Sequence, residues 1–168
     1  MDHPLSNQDI HAILSSHPQT RDLYQGFLFP NDEDVSELLN NIKTPGLYVL
    51  NTDYIDGPGK HWVLVLYRKN LTLFFDPFGL SEEAHGIYFV SERRNKDFLR
   101  NTFTVQNFHS RSIACGHFVI IYAIHIAQGY NFEKLNRKFT LDTELNDTIA
   151  IDLVTWLETL RLEKKMFL

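Results

Sequence analysis

The sequence has very little cysteine: Cys115 is the single cysteine among 168 residues. One thiol cannot form an intramolecular disulfide, and a zinc site built from several cysteines is excluded. Cys115 is therefore either a packed core residue or a reactive thiol. Long apolar runs are also missing, and the first residues lack the basic and apolar regions of a secretory signal. We expect a soluble, intracellular protein that is not secreted.

Positive charge is scarce as well. Sixteen lysines and arginines stand against 21 aspartates and glutamates, so the formal net charge is -5 at pH 7. This balance argues against tight nucleic-acid binding, and a basic cluster leaves room only for weak binding at Arg93, Arg94, Lys96 and Arg100. Because long polar or repetitive stretches are absent too, the length and apolar content predict one globular domain over residues 1–168.

Helices and strands are both indicated by the pattern of apolar residues. Helices are predicted after a cap at Ser6, at residues 34–41, from Cys115 to just before Gly129, and at residues 147–162. Strands are predicted at residues 47–50, 61–67, 71–75 and 103–105. Helices that flank a mainly antiparallel central sheet give an α+β fold.

The strands at 61–67 and 71–75 form a predicted hairpin around residues 68–70. In a hairpin, positions equally distant from the turn face each other. His61 should therefore lie within about one residue of the position opposite Asp76. This pairing would place a base and a carboxylate together at one end of the sheet.

Cys115 is placed where a thiolate is favoured. A thiol attacks a carbonyl carbon as its thiolate, which needs a proton acceptor and a favourable field. The N-terminal end of the predicted helix supplies partial positive charge and free N–H groups. Gly116 follows directly and should leave the backbone open to a substrate.

Among the eight histidines, His61 is the best candidate for the base. His117 would point away from Cys115 on the same helix, and His125 would lie about three turns further along. The others lie in the N-terminal segment or in loops where no orienting acid is evident: His3, His11, His17, His85 and His109. Asp76 would then orient His61. The side chain of Gln106 would join the Cys115 backbone N–H in binding an oxyanion.

Each of these residues also has an ordinary structural interpretation. A lone cysteine at the start of an apolar helix is more often packing than nucleophile, and a histidine at a strand edge is usually inert. Asp76 before Pro-Phe-Gly could begin a turn, and Gln106 could end a strand. Trp62 could be a core aromatic residue or one wall of a substrate cleft.

Taken together, the motifs resemble those of the adenovirus maturation proteases, the adenain family, and their relatives in virophages and maverick-type transposons. Residues 59–62 (Gly-Lys-His-Trp) are similar to the family's His-Trp motif, and residues 73–79 (Leu-Phe-Phe-Asp-Pro-Phe-Gly) to its acid-Pro-Phe-Gly motif. Residues 105–106 and 112–118 look like the oxyanion and nucleophile motif. Residues 6–13 and 49–52 resemble the first helix and the strand before the catalytic histidine.

The resemblance implies a cysteine endopeptidase with a fold related to the SUMO-specific proteases. His61, Asp76, Gln106 and Cys115 would be its catalytic residues, and Gly59, Trp62 and Gly116 would contact the substrate. Its partners would be capsid or virion precursor proteins, cleaved after small residues such as glycine. The enzyme would be found in the infected host cell, in the nucleus or cytoplasm, and in the virion. Two departures are Asp76 in place of the family's glutamate and a longer loop before Cys115.

Adenain uses DNA and a disulfide-linked peptide as cofactors, and this sequence predicts neither. Its single cysteine is the proposed nucleophile, and the acidic charge balance argues against activation by DNA. We expect a monomer without a cofactor or metal. The alternatives are a protease that removes SUMO-like or ubiquitin-like tails, and an inactive relative that binds capsid or nucleic acid.

Overall fold

The computed structural model describes residues 3–29, 35–52, 61–90, 97–108 and 112–166. One five-stranded sheet contains the strands in sequence order: β1 (Tyr24–Leu28), β2 (Gly46–Asn51), β3 (Trp62–Arg68), β4 (Leu71–Phe75) and β5 (Asp97–Arg100). The helices are α1 (Asn7–Ser16), α2 (Val35–Asn41), α3 (Cys115–Ala127), α4 (Phe132–Asn136) and α5 (Thr143–Met166), and a short 3₁₀ helix spans Glu82–His85. The predicted α+β class is confirmed.

The sheet is antiparallel in its centre and parallel at both edges. Strands β2, β3 and β4 pair antiparallel, whereas β1 runs parallel to β2 and β5 runs parallel to β4. All six residues of β2 are buried, and alternate residues enter different cores. Leu47 and Val49 pack into one core, while Tyr48 and Leu50 pack into the other. Because both faces of the sheet are covered, its central strands are nearly continuous apolar runs.

Two edge strands and one loop differ from the sequence prediction. The segments of β1 and β5 are not among the strands predicted from the sequence. The strand predicted at residues 103–105 is wrong, because this segment follows the loop after β4 instead of joining the ladder. The backbone N–H groups of Val105 and Gln106 both donate to the carbonyl of Pro77, at 2.9 and 3.1 Å.

Helix α1 begins as its sequence predicts. The Ser6 hydroxyl accepts from the backbone N–H of Asp9, and the Asp9 carboxylate accepts from the backbone N–H of Ser6. This reciprocal capping box satisfies two N–H groups that a helix start would otherwise leave unpaired. The chain just before it, at Leu5, is thereby fixed against the sheet, and the Leu5 carbonyl accepts from the Trp62 indole at 3.1 Å.

Helix α3 lies in the larger core, between the sheet and helices α1 and α5. Ten of its 13 residues are buried, which explains a sequence that is apolar nearly all round. The rings of Tyr122 and Phe75 stack with centroids 3.5 Å apart, so the helix is held against β4. No helix in the described ranges is long and apolar enough to cross a membrane.

Candidate active site

His61 and Asp76 meet at one end of the central hairpin. His61 directly precedes β3 and Asp76 directly follows β4, and His61 Nε2 lies 2.8 Å from Asp76 Oδ1. The turn between the strands contains two residues, not the three that were predicted. Extending the observed register by one step therefore sets Val63 opposite Asp76. His61 lies two residues from Val63 on the same face, so its ring reaches Asp76 along the diagonal.

Asp76 is fully buried, and both of its carboxylate oxygens are hydrogen-bonded. Oδ1 accepts from His61 and, at 2.7 Å, from the backbone N–H of Phe78. Oδ2 lies 2.5 Å from His85 Nε2. Burial alone would raise the pKa of this carboxyl, but the hydrogen bonds from His61 and His85 outweigh burial and hold the pKa below its usual value. Asp76 is therefore an anion at neutral pH.

The backbone of Asp76 is held by one further side chain. Asn101 accepts from the Asp76 backbone N–H at 3.0 Å, and its amide donates to the Asp76 carbonyl at 2.5 Å. Asn101 is itself buried and directly follows β5. The edge strand that the sequence did not predict thus fixes the position of the acid.

His61 is buried, with 8% of its surface exposed, and neighbouring side chains fix its ring. Nε2 is bonded to Asp76, and the ring stacks on Phe78 with centroids 4.6 Å apart. Burial would lower the pKa of His61, but the hydrogen bonds to Asp76 and then to Cys115 raise it to about 9. The imidazolium form is therefore favoured at neutral pH.

Cys115 is the first residue of α3 and is partly exposed. Its thiol lies in hydrogen-bond contact with His61. Because Nε2 of that ring is engaged by Asp76, Nδ1 is the nitrogen left for the thiol. An imidazolium on one side and a helix N-terminus on the other place positive charge around this sulfur.

Gln106 lies against the loop that leads into α3. Its side chain is 1% exposed, and Nε2 donates to the Ser112 hydroxyl at 2.7 Å. Oε1 has no hydrogen-bond partner among the described residues. The amide nitrogen carries a second N–H besides the one that is bonded to Ser112. Its role as an oxyanion donor stays a prediction.

Ser112 connects this loop to helix α5. Its hydroxyl accepts from Gln106 and from the Ala114 backbone N–H, and it is also hydrogen-bonded to Asp147. Asp147 additionally accepts from the backbone N–H of Asn107 at 3.1 Å. Burial raises the pKa of Asp147 although these hydrogen bonds oppose the rise. One carboxylate on α5 therefore holds both ends of the segment before the nucleophile.

The residues expected to contact substrate have different surroundings. Trp62 is 8% exposed, and its indole N–H donates to Leu5. At Gly116 an added Cβ would lie 3.1 Å from Leu5, 3.2 Å from Ile10 and 3.3 Å from Trp62. The small residue thus lets α3 approach α1 and β3, which is a packing reason for glycine at this position. Contact between Gly116 and a substrate stays a prediction. Gly59 lies outside the described residues.

The basic cluster also falls mainly outside the described part of the chain. Arg93, Arg94 and Lys96 are not among the described residues. Arg100 lies on β5 and pairs with Glu82 at 3.5 Å. Weak nucleic-acid binding stays a prediction.

His85 was set aside in the sequence because no acid was evident beside it, and that inference is wrong. The 3₁₀ helix places its ring on Asp76, the same acid that orients His61. The available signal was Gly86, which adopts a left-handed conformation and ends the helix directly after His85. His109, set aside on the same ground, lies outside the described residues.

Among the described residues, His61, Asp76 and His85 could supply three metal ligands. One ligand atom from each lies within 4.8 Å of the others. In the structure these same atoms are hydrogen-bonded to one another. An ion at this position would have to replace both hydrogen bonds, so the arrangement as it stands suits proton chemistry.

The comparisons with known proteins find similarity in structure but not in sequence. No protein-family model matches the chain, and no curated protein matches it. The solved structure of the ASFV pS273R protease, in its selenomethionine form, is similar at 18% sequence identity with a TM-score of 0.49. The match covers 89% of this chain and 68% of that one. The chemistry assigned to this chain therefore depends on the geometry of its own residues.

Proposed function

We propose that this chain is a cysteine endopeptidase. One observation carries the proposal: the His61 ring is bonded to a buried anion, Asp76, on one side and contacts the thiol of Cys115 on the other. The three side chains come from separate parts of the sequence and meet in the order that a thiol protease needs. Packing alone does not require a histidine in this position.

The expected reaction has two stages. The Cys115 thiolate attacks the scissile carbonyl carbon, and the resulting oxyanion accepts hydrogen bonds from the Cys115 backbone N–H and from Gln106 Nε2. His61 then gives its proton to the leaving amine, which leaves a thioester on Cys115. In the second stage His61 takes a proton from water, the hydroxide attacks the thioester, and the acid product leaves. Asp76 keeps the His61 ring oriented throughout.

We further propose that the substrates are virion precursor proteins cleaved after small residues such as glycine. The support is the order and spacing of the three motifs, which resemble those of viral maturation proteases. The partly exposed Cys115 suits attack on an extended segment of another protein. Removal of SUMO-like tails that end in Gly-Gly is the competing substrate class, and the same experiment distinguishes the two.

The test is to incubate the protein with a library of peptides derived from viral capsid precursors and with a SUMO-like precursor, and to map new termini by mass spectrometry. We expect cleavage after glycine or another small residue. Cys115→Ala is the matched control and should retain the wild-type melting temperature while losing at least about 10⁴-fold in rate. Cleavage by Cys115→Ala, or a folded wild type that cleaves neither substrate class, contradicts the proposal.

A further inference from the structure

The carboxylate of Asp76 lies between two imidazole rings, and the proposed reaction uses only one of them. His61 Nε2 contacts Oδ1 at 2.8 Å, and His85 Nε2 contacts Oδ2 at 2.5 Å. The two rings are close to parallel, with an interplanar angle of 22° and centroids 5.9 Å apart. Exposure is 8% for the His61 side chain, 12% for His85 and zero for Asp76. The second ring therefore belongs to the same buried cluster.

His85 is held in this position by its own set of contacts. It is the last residue of the 3₁₀ helix, which ends at Gly86 in the left-handed conformation. The first residue of that helix, Glu82, pairs with Arg100 on β5. The carbonyl of Gly86 accepts from the Ser36 hydroxyl on α2 at 3.2 Å. The sheet edge and α2 thus fix both ends of the short helix that presents the ring.

Within the described residues, His85 is the donor that the structure gives to Oδ2, since the Phe78 N–H donates to Oδ1. Without His85, one oxygen of a buried anion would lose its partner, which is costly. The carboxylate would also be held at one oxygen only and could rotate about its terminal bond. Rotation would move Oδ1 away from His61 Nε2.

We propose that His85 is a positioning residue that holds the Asp76 carboxylate in the plane required by His61, and thereby keeps Cys115 ready to react. Its action on catalysis depends on the proposed peptidase function. Its action on the thiol does not, because thiol reactivity is measurable without a substrate. His85 touches Asp76, and its proposed action on the sulfur passes through that carboxylate and His61.

The test measures the rate at which iodoacetamide alkylates the protein. Because the sequence has a single cysteine, this rate reports on Cys115 alone. His85→Gln and His85→Met form a matched pair of similar length, of which only glutamine can donate to Oδ2. We expect His85→Met to slow alkylation about tenfold at pH 7 and to shift its pH profile toward higher pH, in the direction of His61→Ala. His85→Gln should recover most of the wild-type rate and profile.

His125→Gln is the control histidine substitution. His125 lies on α3 with Cys115, but its Nδ1 contacts the Ile121 carbonyl at 2.8 Å and its ring packs on Tyr130. Cys115 of the His125→Gln variant should be alkylated at the wild-type rate. Thermal melting of every variant confirms that the compared proteins are folded, and His85→Gln against wild type remains informative if His85→Met does not fold.

The peptidase assay supplies a second readout. A positioning role predicts a fall in kcat of about tenfold for His85→Met at nearly unchanged KM, with rescue by His85→Gln. A rise in KM alone would instead mark His85 as a substrate contact and overturn the proposal. Equal alkylation and cleavage by wild type and folded His85→Met would also overturn it, as would equal slowing by the methionine and glutamine variants.

The two proposals fail in different ways. If the wild type cleaves nothing but alkylation still depends on a donor at position 85, the positioning role stands and the peptidase function fails. If the wild type cleaves peptides and folded His85 variants cleave equally well, the peptidase function stands and the positioning role fails.

Discussion

The candidate site has an acid side, formed by His61 and Asp76, and an oxyanion side, formed by Gln106. The acid side is held by more contacts. On the acid side, both oxygens of Asp76 are bonded, its backbone is held twice by Asn101, and the ring of His61 is stacked on Phe78. On the oxyanion side, Gln106 makes one side-chain hydrogen bond, to Ser112, and its Oε1 has no partner within the described part of the chain.

The difference follows from where each side lies in the fold. The acid side lies at the ends of paired strands, where the backbone ladder limits movement. The oxyanion side lies on a loop that is held by Asp147 of α5 through Ser112 and Asn107. The base and acid are therefore held by more contacts than Gln106 is.

The largest effect should come from removing the His61 ring, which lies between Asp76 and Cys115. His61→Ala should lower kcat/KM by at least about 10⁴-fold, because the proton acceptor and the partner of the thiolate are both lost. It should also lower the free energy of unfolding, since His61 is buried and Asp76 would lose a hydrogen bond. Peptidase kinetics and urea unfolding measure the two losses. Activity within tenfold of the wild type would remove His61 from the reaction.

Asp76→Asn tests the acid side with little change in shape. The amide oxygen can take the place of Oδ1 and accept from His61 and from the Phe78 N–H, but the NH₂ group in the place of Oδ2 cannot accept from His85 Nε2. We expect a fall in kcat of about 10²- to 10³-fold, smaller than for His61→Ala. The pH profile of Cys115 alkylation should move toward higher pH. An unchanged profile would show that Asp76 does not act on the thiol through His61.

Gln106→Ala and Ser112→Ala test the oxyanion side. Loss of an oxyanion donor costs about 2.7–4 kcal/mol of transition-state stabilisation, so Gln106→Ala should lower kcat about 10²- to 10³-fold. Ser112→Ala leaves the amide in place but removes its anchor, and a loss of about three- to tenfold is expected.

Alkylation of Cys115 should be nearly unaffected by both oxyanion-side changes, whereas changes on the acid side should slow it. This contrast is the sharpest test of the division between the two sides. Slow alkylation in folded Gln106→Ala would contradict it.

A change of stability with pH is also expected. Because the folded pKa of His61 is raised to about 9 from an ordinary value of 6.5, its stabilising contribution is complete below about pH 6.5. It is lost as pH rises through 9. Urea unfolding between pH 6 and 10 should show a decline of up to about 3 kcal/mol that is weaker in His61→Ala. Equal slopes in the two proteins would contradict the assignment.

Local features of the fold were predictable because their causes lie within a few residues. The Ser6 cap, the hairpin of β3 and β4, and the start of α3 at Cys115 follow from capping, alternation and apolar content. The hairpin also placed His61 near Asp76, although the two-residue turn shifted the register. Helix bounds at residues 147–162 were too short, since α5 is Thr143–Met166.

The sequence by itself determined that a base and an acid lie at the same end of one hairpin and that a thiol begins a buried helix. Only the tertiary structure decided which residues support them. His85, Asn101 and Asp147 reach the site from a 3₁₀ helix, from the end of an edge strand and from α5. The tertiary structure also decided the parallel edge strands β1 and β5, which the sequence did not predict. Such contacts join separate elements, and they depend on how those elements pack, which no local periodicity or spacing records.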